Sequence, residues 1–280
     1  MGAHREPMVV RRSGSRARRV LITATLVAVG LSACSDEAPS GGPGPVEPVG
    51  PIGPVGPVNG DDDGVAGSGE LVLETRAVEP FDSVVLKGEG SVTISFGDEQ
   101  TLTVETDDNL LGLIETTVRD RVLEISTADD TDIAPTDSVD YRITVGSLVG
   151  IELLGAGSID VERWSVEAPS VIHGGAGDVR VESLQAEQLV VEFTGAGSVT
   201  IAGIVTEQNV SLSGVGTYEA ADLESMNASI EARSAVAATV WATGTLDATV
   251  SDTGSVAYYG SPELTQQVDG LGEITSLGAR

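Results

Sequence analysis

Few residues in this chain can act as nucleophile, base or metal ligand: one cysteine, Cys34, and two histidines, His4 and His173. A zinc site needs three or four such ligands, and an activated thiol needs a partnered base. His173 lies two places before Gly175, in a column otherwise occupied by Leu86, Leu153, Phe193 and Leu212. A histidine in that setting is expected in the core, hydrogen-bonded to a backbone carbonyl. No serine sits in a nucleophile-elbow sequence. Carboxylates are abundant, with runs at Asp61-Asp62-Asp63 and Asp129-Asp130-Thr131-Asp132. Neither run has the alternating frame and bidentate Glu of an EF-hand, so both are expected as solvated loops. Gly174-Gly175-Ala176-Gly177-Asp178 is similar to a calcium-binding nonapeptide, but its Asp is one place early and its period is wrong. No catalytic residue, cofactor or metal is expected.

The elements that hold these residues are set by a recurrent Gly-x-Gly beat at Gly155/Gly157, Gly175/Gly177, Gly195/Gly197 and Gly214/Gly216, returning at Gly270/Gly272. A fixed period near twenty marks a solenoid. Four and six places after the first Gly come Ile159 and Val161, Val179 and Val181, Val199 and Ile201, then Tyr218 and Ala220. Alternation of that kind puts each pair on one strand face. A second column precedes the beat. A third follows nine places on, at Trp164, Leu184, Ile204 and Leu223. Where the glycines are lost, Ala232 and Asp252 serve as equivalents of the first Gly, giving intervals of 20, 20, 19, 18, 20 and 18 residues. Trp241 then joins Trp164 in the third column, which assigns both to the core.

Three apolar columns per coil predict an all-β fold, a right-handed three-sided parallel β-helix with coils of about 20 residues. Six intervals at about 4.8 Å each give a rod roughly 29 Å long. The glycines are expected at corners, where a missing Cβ permits a sharp bend or positive φ. A leucine-rich frame and 3.6-residue spacing are both absent.

Residues 1–33 carry six arginines and one acid, with an apolar run from Val20 to Val29. That is a positive segment and a short apolar core, the form of a cleaved signal peptide. Its end, Leu31-Ser32-Ala33-Cys34, resembles the bacterial lipobox, and the resemblance implies lipid attachment at Cys34. Anchoring of this kind places the chain on a membrane, outside the cytoplasm, without spanning the bilayer. With a single cysteine there is no disulfide.

Residues 34–69 form a tether built on five Pro-centred triplets between Gly44 and Val58. As a polyproline spacer it holds the domain some 60 Å from the membrane. Residues 70–280 are the folded domain, with an N-terminal section over 70–150 and regular coils over 151–280. Once the signal is removed, 9 of the 15 basic and 42 of the 43 acidic residues remain, a net −33. Such a surface repels DNA and anionic headgroups, so no nucleic-acid partner is expected.

In the N-terminal section, Phe81-Asp82-Ser83-Val84 leads into Gly88-Glu89-Gly90-Ser91-Val92-Thr93-Ile94, which already has the beat. Asp107-Asp108-Asn109-Leu110-Leu111 reads as a turn or short helical piece, followed by alternating strands at Arg121–Ser126 and Tyr141–Val145. With the repeated Gly-Ala-Gly-Ser/Asp coils, these marks resemble the putative auto-transporter adhesin head GIN domain family over about residues 71–278. The resemblance implies an exported β-helical domain on a lipoprotein, and the family offers no catalytic residues to carry over. The corners at Ala232–Ala238 and Asp252–Ser255 depart from the pattern and are expected to be looser.

The expected function is a non-enzymatic, adhesin-like interaction module. It is anchored to the membrane through Cys34 and takes a glycan or an envelope protein as ligand. Two alternatives stay open: a structural envelope lipoprotein without soluble ligand, and a polysaccharide-active enzyme. The last needs basic residues to bind uronates, yet only Arg163, Arg180 and Arg233 fall in the coils and Lys87 is the sole lysine.

Overall fold

The computed structural model describes residues 64–128 and 131–280. The signal segment, Cys34, the proline-rich triplets of the tether, Asp61–Asp63, Asp129 and Asp130 lie outside the described residues.

The chain is a β-solenoid of about six turns, its parallel coils about 20 residues apart. Three inward columns run along it. The first, Leu86, Leu153, His173, Phe193, Leu212, Ala232 and Val250, is in continuous parallel register and fully buried. The second runs Val92, Ile159, Val179, Val199, Tyr218, Ala238 and Val256, also buried. The third begins Trp164, Leu184, Gly203, Leu223. β-branched residues at every second place suit such a stack, since their branched side chains pack flat against identical neighbours one rung away.

In the regular coils one strand passes round all three sides: Ala176–Phe193, Ala196–Leu212, Val215–Ala232 and Ala235–Asp252. Only the corner before each beat interrupts the ladder. The turn into the third side is taken by register shifts, at Val181/Leu184 and Thr200/Gly203 for example. Bulges bend a strand without ending it.

Two sequence expectations are corrected by these shifts. Ile204 is 61% exposed, and Val205 is the buried residue of its side. Ile204 pairs with Gln185, while Gly203 takes the inward place beside Leu184. Trp241 pairs with Glu224 and is half-exposed, and Ala242 and Val240 are buried on either side of it. A single-residue slip reverses the face of a strand side chain. Of the two equivalents of the lost glycines, Asp252 stands as expected, level with Gly270, and the other moves from Ala232 to Ser234. Val215 pairs with Ala235 and Ala237 with Ser255, so the coil lengths are 20 then 18. Ser234 and Asp252 take those corners at φ 61° and 56°. The displacement from Ala232 to Ser234 is two residues, an even number, so Val236 and Ala238 still face inward.

The N-terminal section is not wound in chain order. Val122–Thr127 pairs in parallel with Ser83–Leu86, and Asp140–Val145 with Glu89–Phe96. Their other edges pair with Gly150–Leu153 and Ala156–Val161. The coil of residues 81–96 therefore lies between a coil that follows it by some forty residues and the first regular coil. Antiparallel strands then close this end. Leu71–Arg76 lies on Thr101–Asp107, which lies on Asp140–Val145, and Ile114–Arg119 covers Val122–Thr127. An antiparallel cap ends the stack without a parallel edge for a further coil to join. Between them, Asp108–Leu110 form a turn and Leu111–Leu113 a single 3-10 turn.

One buried carboxylate holds the cap together. Asp107 accepts the Gly69 amide at 2.6 Å on Oδ1 and the Thr136 amide at 2.8 Å on Oδ2. The Thr136 amide, chiefly, holds the carboxyl below its ordinary value; burial opposes this and the Gly69 amide adds to it. The folded state thus binds this proton less readily than the unfolded chain. The stabilisation is present above the ordinary aspartate value of about 3.9 and is lost as pH falls through the lower native value. Asp107→Asn is expected to speed hydrogen exchange at Gly69 and Thr136 at neutral pH while sparing the amides of Ala176–Phe193. Unchanged exchange at the first two would remove Asp107 from this role.

Candidate interaction surface

His173 is fully buried, and its Nε2–H donates to Gly177 O at 2.8 Å. Its ring stacks on Phe193 at 4.8 Å, and Nδ1 is buried without a partner. The expected core histidine is what the structure shows, and a ring sealed in this way cannot reach a substrate. A second buried polar group was not anticipated. Gln208 Nε2 donates to Ser225 Oγ at 2.8 Å and Gln208 Oε1 accepts Tyr218 Oη–H at 3.1 Å, while Ser225 donates to Trp241 O. Burial holds the Tyr218 hydroxyl well above its ordinary value. This relay satisfies polar atoms inside the solenoid and has no opening to solvent. Among the described residues, no group of three or more His, Cys, Asp or Glu converges on a metal position.

The surface offers more. Residues Thr131–Val139 form a strap over the first coils. It is tied by Val65–Ala66 pairing with Ile133–Ala134, by Asp107, and by the Ser91 amide on Val139 O at 2.8 Å. Beneath it runs a groove of about 770 Å³, lined on one wall by Ile133, Pro135 and Thr136 and on the other by Ser91, Ser158 and Asp178. The last three are successive rungs of one outward row, which continues to Ser198. Ser198 Oγ donates to Asp178 Oδ1 at 2.5 Å. The row is rigid because the backbone ladder sets each side chain about 4.8 Å from the next.

Glu89 stands between this groove and a smaller one of about 360 Å³ that contains Lys87, Thr131 and Asp132. Its Oε1 is buried without a partner. Burial, and then the charge of Asp132, raise its carboxyl above the ordinary range. The folded state binds this proton more readily than the unfolded chain, so ionisation of Glu89 disfavours the fold as pH rises and acid relieves this.

A second outward row runs Glu124, Val85, Glu152, Ile172, Glu192, Ser211, Glu231. Burial raises the Glu152 carboxyl, with Glu192 adding to this and Lys87 opposing it. On the third side, Trp241 and Tyr259 occupy adjacent rungs. The Arg280 guanidinium lies over both rings, 5.2 Å and 5.5 Å from their centroids, and pairs with Asp222. Sequence reasoning missed this shelf because it placed Trp241 inside.

Comparison with known proteins places these surfaces in context. Residues 80–262 match the profile of a family described as putative auto-transporter adhesin, head GIN domain. A crystal structure of a putative adhesin from Bacteroides fragilis is 25% identical, with a TM-score of 0.74, over 76% of this chain and all of that one. A putative adhesin from Parabacteroides distasonis is 22% identical, TM-score 0.58, over 77% of this chain and all of that one. A putative lipid binding protein from Parabacteroides distasonis is 19% identical, TM-score 0.62, over 76% of this chain and 99% of that one. The last two share the fold. No curated protein matches the sequence.

Proposed function

Since the chain belongs to the putative auto-transporter adhesin, head GIN domain family, we propose that it is a lipid-anchored, extracytoplasmic interaction module that binds by surface complementarity and performs no chemistry. The observation that carries this reading is the groove under the strap. It is lined by hydroxyls and by the carboxylates Glu89, Asp137 and Asp178, a donor and acceptor set that suits a hydroxyl-rich polymer. The sealed His173 and the scarcity of basic residues in the coils agree with a binding role. Among the described residues no helix is long and apolar enough to cross a membrane. Attachment through Cys34 would hold the solenoid at the end of its proline-rich tether, facing outward.

A glycan and envelope-polymer array probed with the purified protein, at two salt and two Ca²⁺ levels, tests the proposal. Saturable binding to one class, weakened by Asp178→Ala, is expected. A blank array would end the adhesin reading and favour a structural envelope role. For the anchor, Cys34→Ala is expected to abolish incorporation of a radiolabelled fatty acid into the protein. Label retained by the variant would exclude Cys34 as the attachment point.

A further inference from the structure

Trp241 and Tyr259 are large aromatic side chains held half-exposed on successive rungs of one outward face. Turning the indole outward forgoes part of the burial that an inward tryptophan would gain. The rungs are parts of Ala235–Asp252 and Ser255–Tyr259, so the ladder presets the spacing of the two rings. Carboxylates flank them: Glu224 is the register partner of Trp241, and Asp222 stands two residues before it with its side chain 69% exposed. In a chain this acidic, the local potential favours cations over neutral or anionic groups. A cation is what occupies the place. Arg280 lies within about 6 Å of both ring centroids, the range in which a guanidinium is attracted to an aromatic face. Its hold on the fold is short, two residues beyond Gly278, whose carbonyl accepts the Gly260 amide at 2.9 Å.

We propose that Trp241, Tyr259 and Asp222 form a recognition site for a guanidinium or quaternary ammonium group carried by a partner, and that Arg280 fills this site in cis. The site is separate from the groove under the strap, so it stands or falls independently of the glycan array. Neutral sugars also stack on aromatic rings. The carboxylate and the resident guanidinium favour the cation.

The test uses the purified full-length protein and its Arg280→Ala variant, read by tryptophan fluorescence. Trp164 is 1% exposed, so Trp241 is the indole that responds to added solutes. First, acrylamide should quench the variant more strongly than the wild type; equal quenching would overturn the cis contact. Argininamide and tetramethylammonium are then titrated, with sodium chloride at equal ionic strength and N-acetylglucosamine as controls. Saturable change is expected with both cations in the variant, half-saturating at about tenfold lower concentration than in the wild type, because a tethered competitor acts at millimolar effective concentration. Adding Asp222→Asn should raise that half-saturation about threefold, as loss of an exposed ion pair implies. A response no larger than that to sodium chloride overturns the proposal. So does a response to the sugar in place of the cations.

Discussion

Replacing Gly197 with alanine is expected to destabilise the protein by more than about 4 kcal/mol, in the range reserved for severe backbone conflicts. Gly197 lies in a column with Gly157, Gly177 and Gly216, each stacked on the next in register. Its φ is 137°, a region that L side chains avoid. A Cβ there would stand 1.8 Å from the carbonyl oxygen of Gly177, a backbone atom that cannot swing aside. Relief requires the two coils to separate, and their inter-coil hydrogen bonds hold them together. A solenoid derives its stability from contacts between neighbouring coils, so damage in the middle should uncouple the two ends. Denaturant unfolding followed by far-UV circular dichroism should therefore show an earlier, broader or two-step transition. Gly112→Ala is the control, because a Cβ at Gly112 meets nothing within 4 Å and its φ is ordinary. A Gly197→Ala variant as stable as Gly112→Ala would disprove the glycine stack.

Trp164→Ala is expected to cost about 3–5 kcal/mol, the usual penalty for deleting a buried aromatic side chain. Trp164 is 1% exposed and closes the third side of the first regular coil. Its Nε1–H donates to Leu148 O at 2.8 Å, so truncation strands a buried carbonyl as well as opening a cavity. Trp241→Ala should cost less, since that ring faces outward and is only partly buried. The pair of thermal melts is decisive about the third column. Equal losses would restore Trp241 to the core and remove the shelf on which Arg280 lies.

The contrast between these two tryptophans shows how far the chain could be read without its fold. Along the first two sides, alternation and the Gly-x-Gly spacing located nearly every inward residue, from Ile159 to Val256. His173 was assigned correctly because its column neighbours were apolar. The third side follows a bulge, and a bulge leaves no mark on composition. There one residue of slip exchanged Ile204 for Val205 and turned Trp241 outward.

The candidate surface was less legible still. Ser91, Ser158 and Asp178 are unremarkable outward residues until the strap of residues 131–139 is laid across them. The strap depends on Asp107, which read only as part of an acidic turn.

What the sequence determined by itself is therefore the local and periodic part: an all-β chain, coils of about twenty residues, glycine at the corners, and the inward set of two sides. These follow from side chains that alternate every two residues and from backbone positions that exclude a Cβ. The tertiary structure alone decided what depends on distant partners. The winding of residues 122–145 outside residues 81–96 was settled by which strand edges were free to pair. The same holds for the two-residue displacement at Ser234, since an even shift keeps the same face inward and leaves no hydrophobic signal. The shelf of Trp241 and Tyr259 likewise exists only because stacking brings residues eighteen apart onto neighbouring rungs.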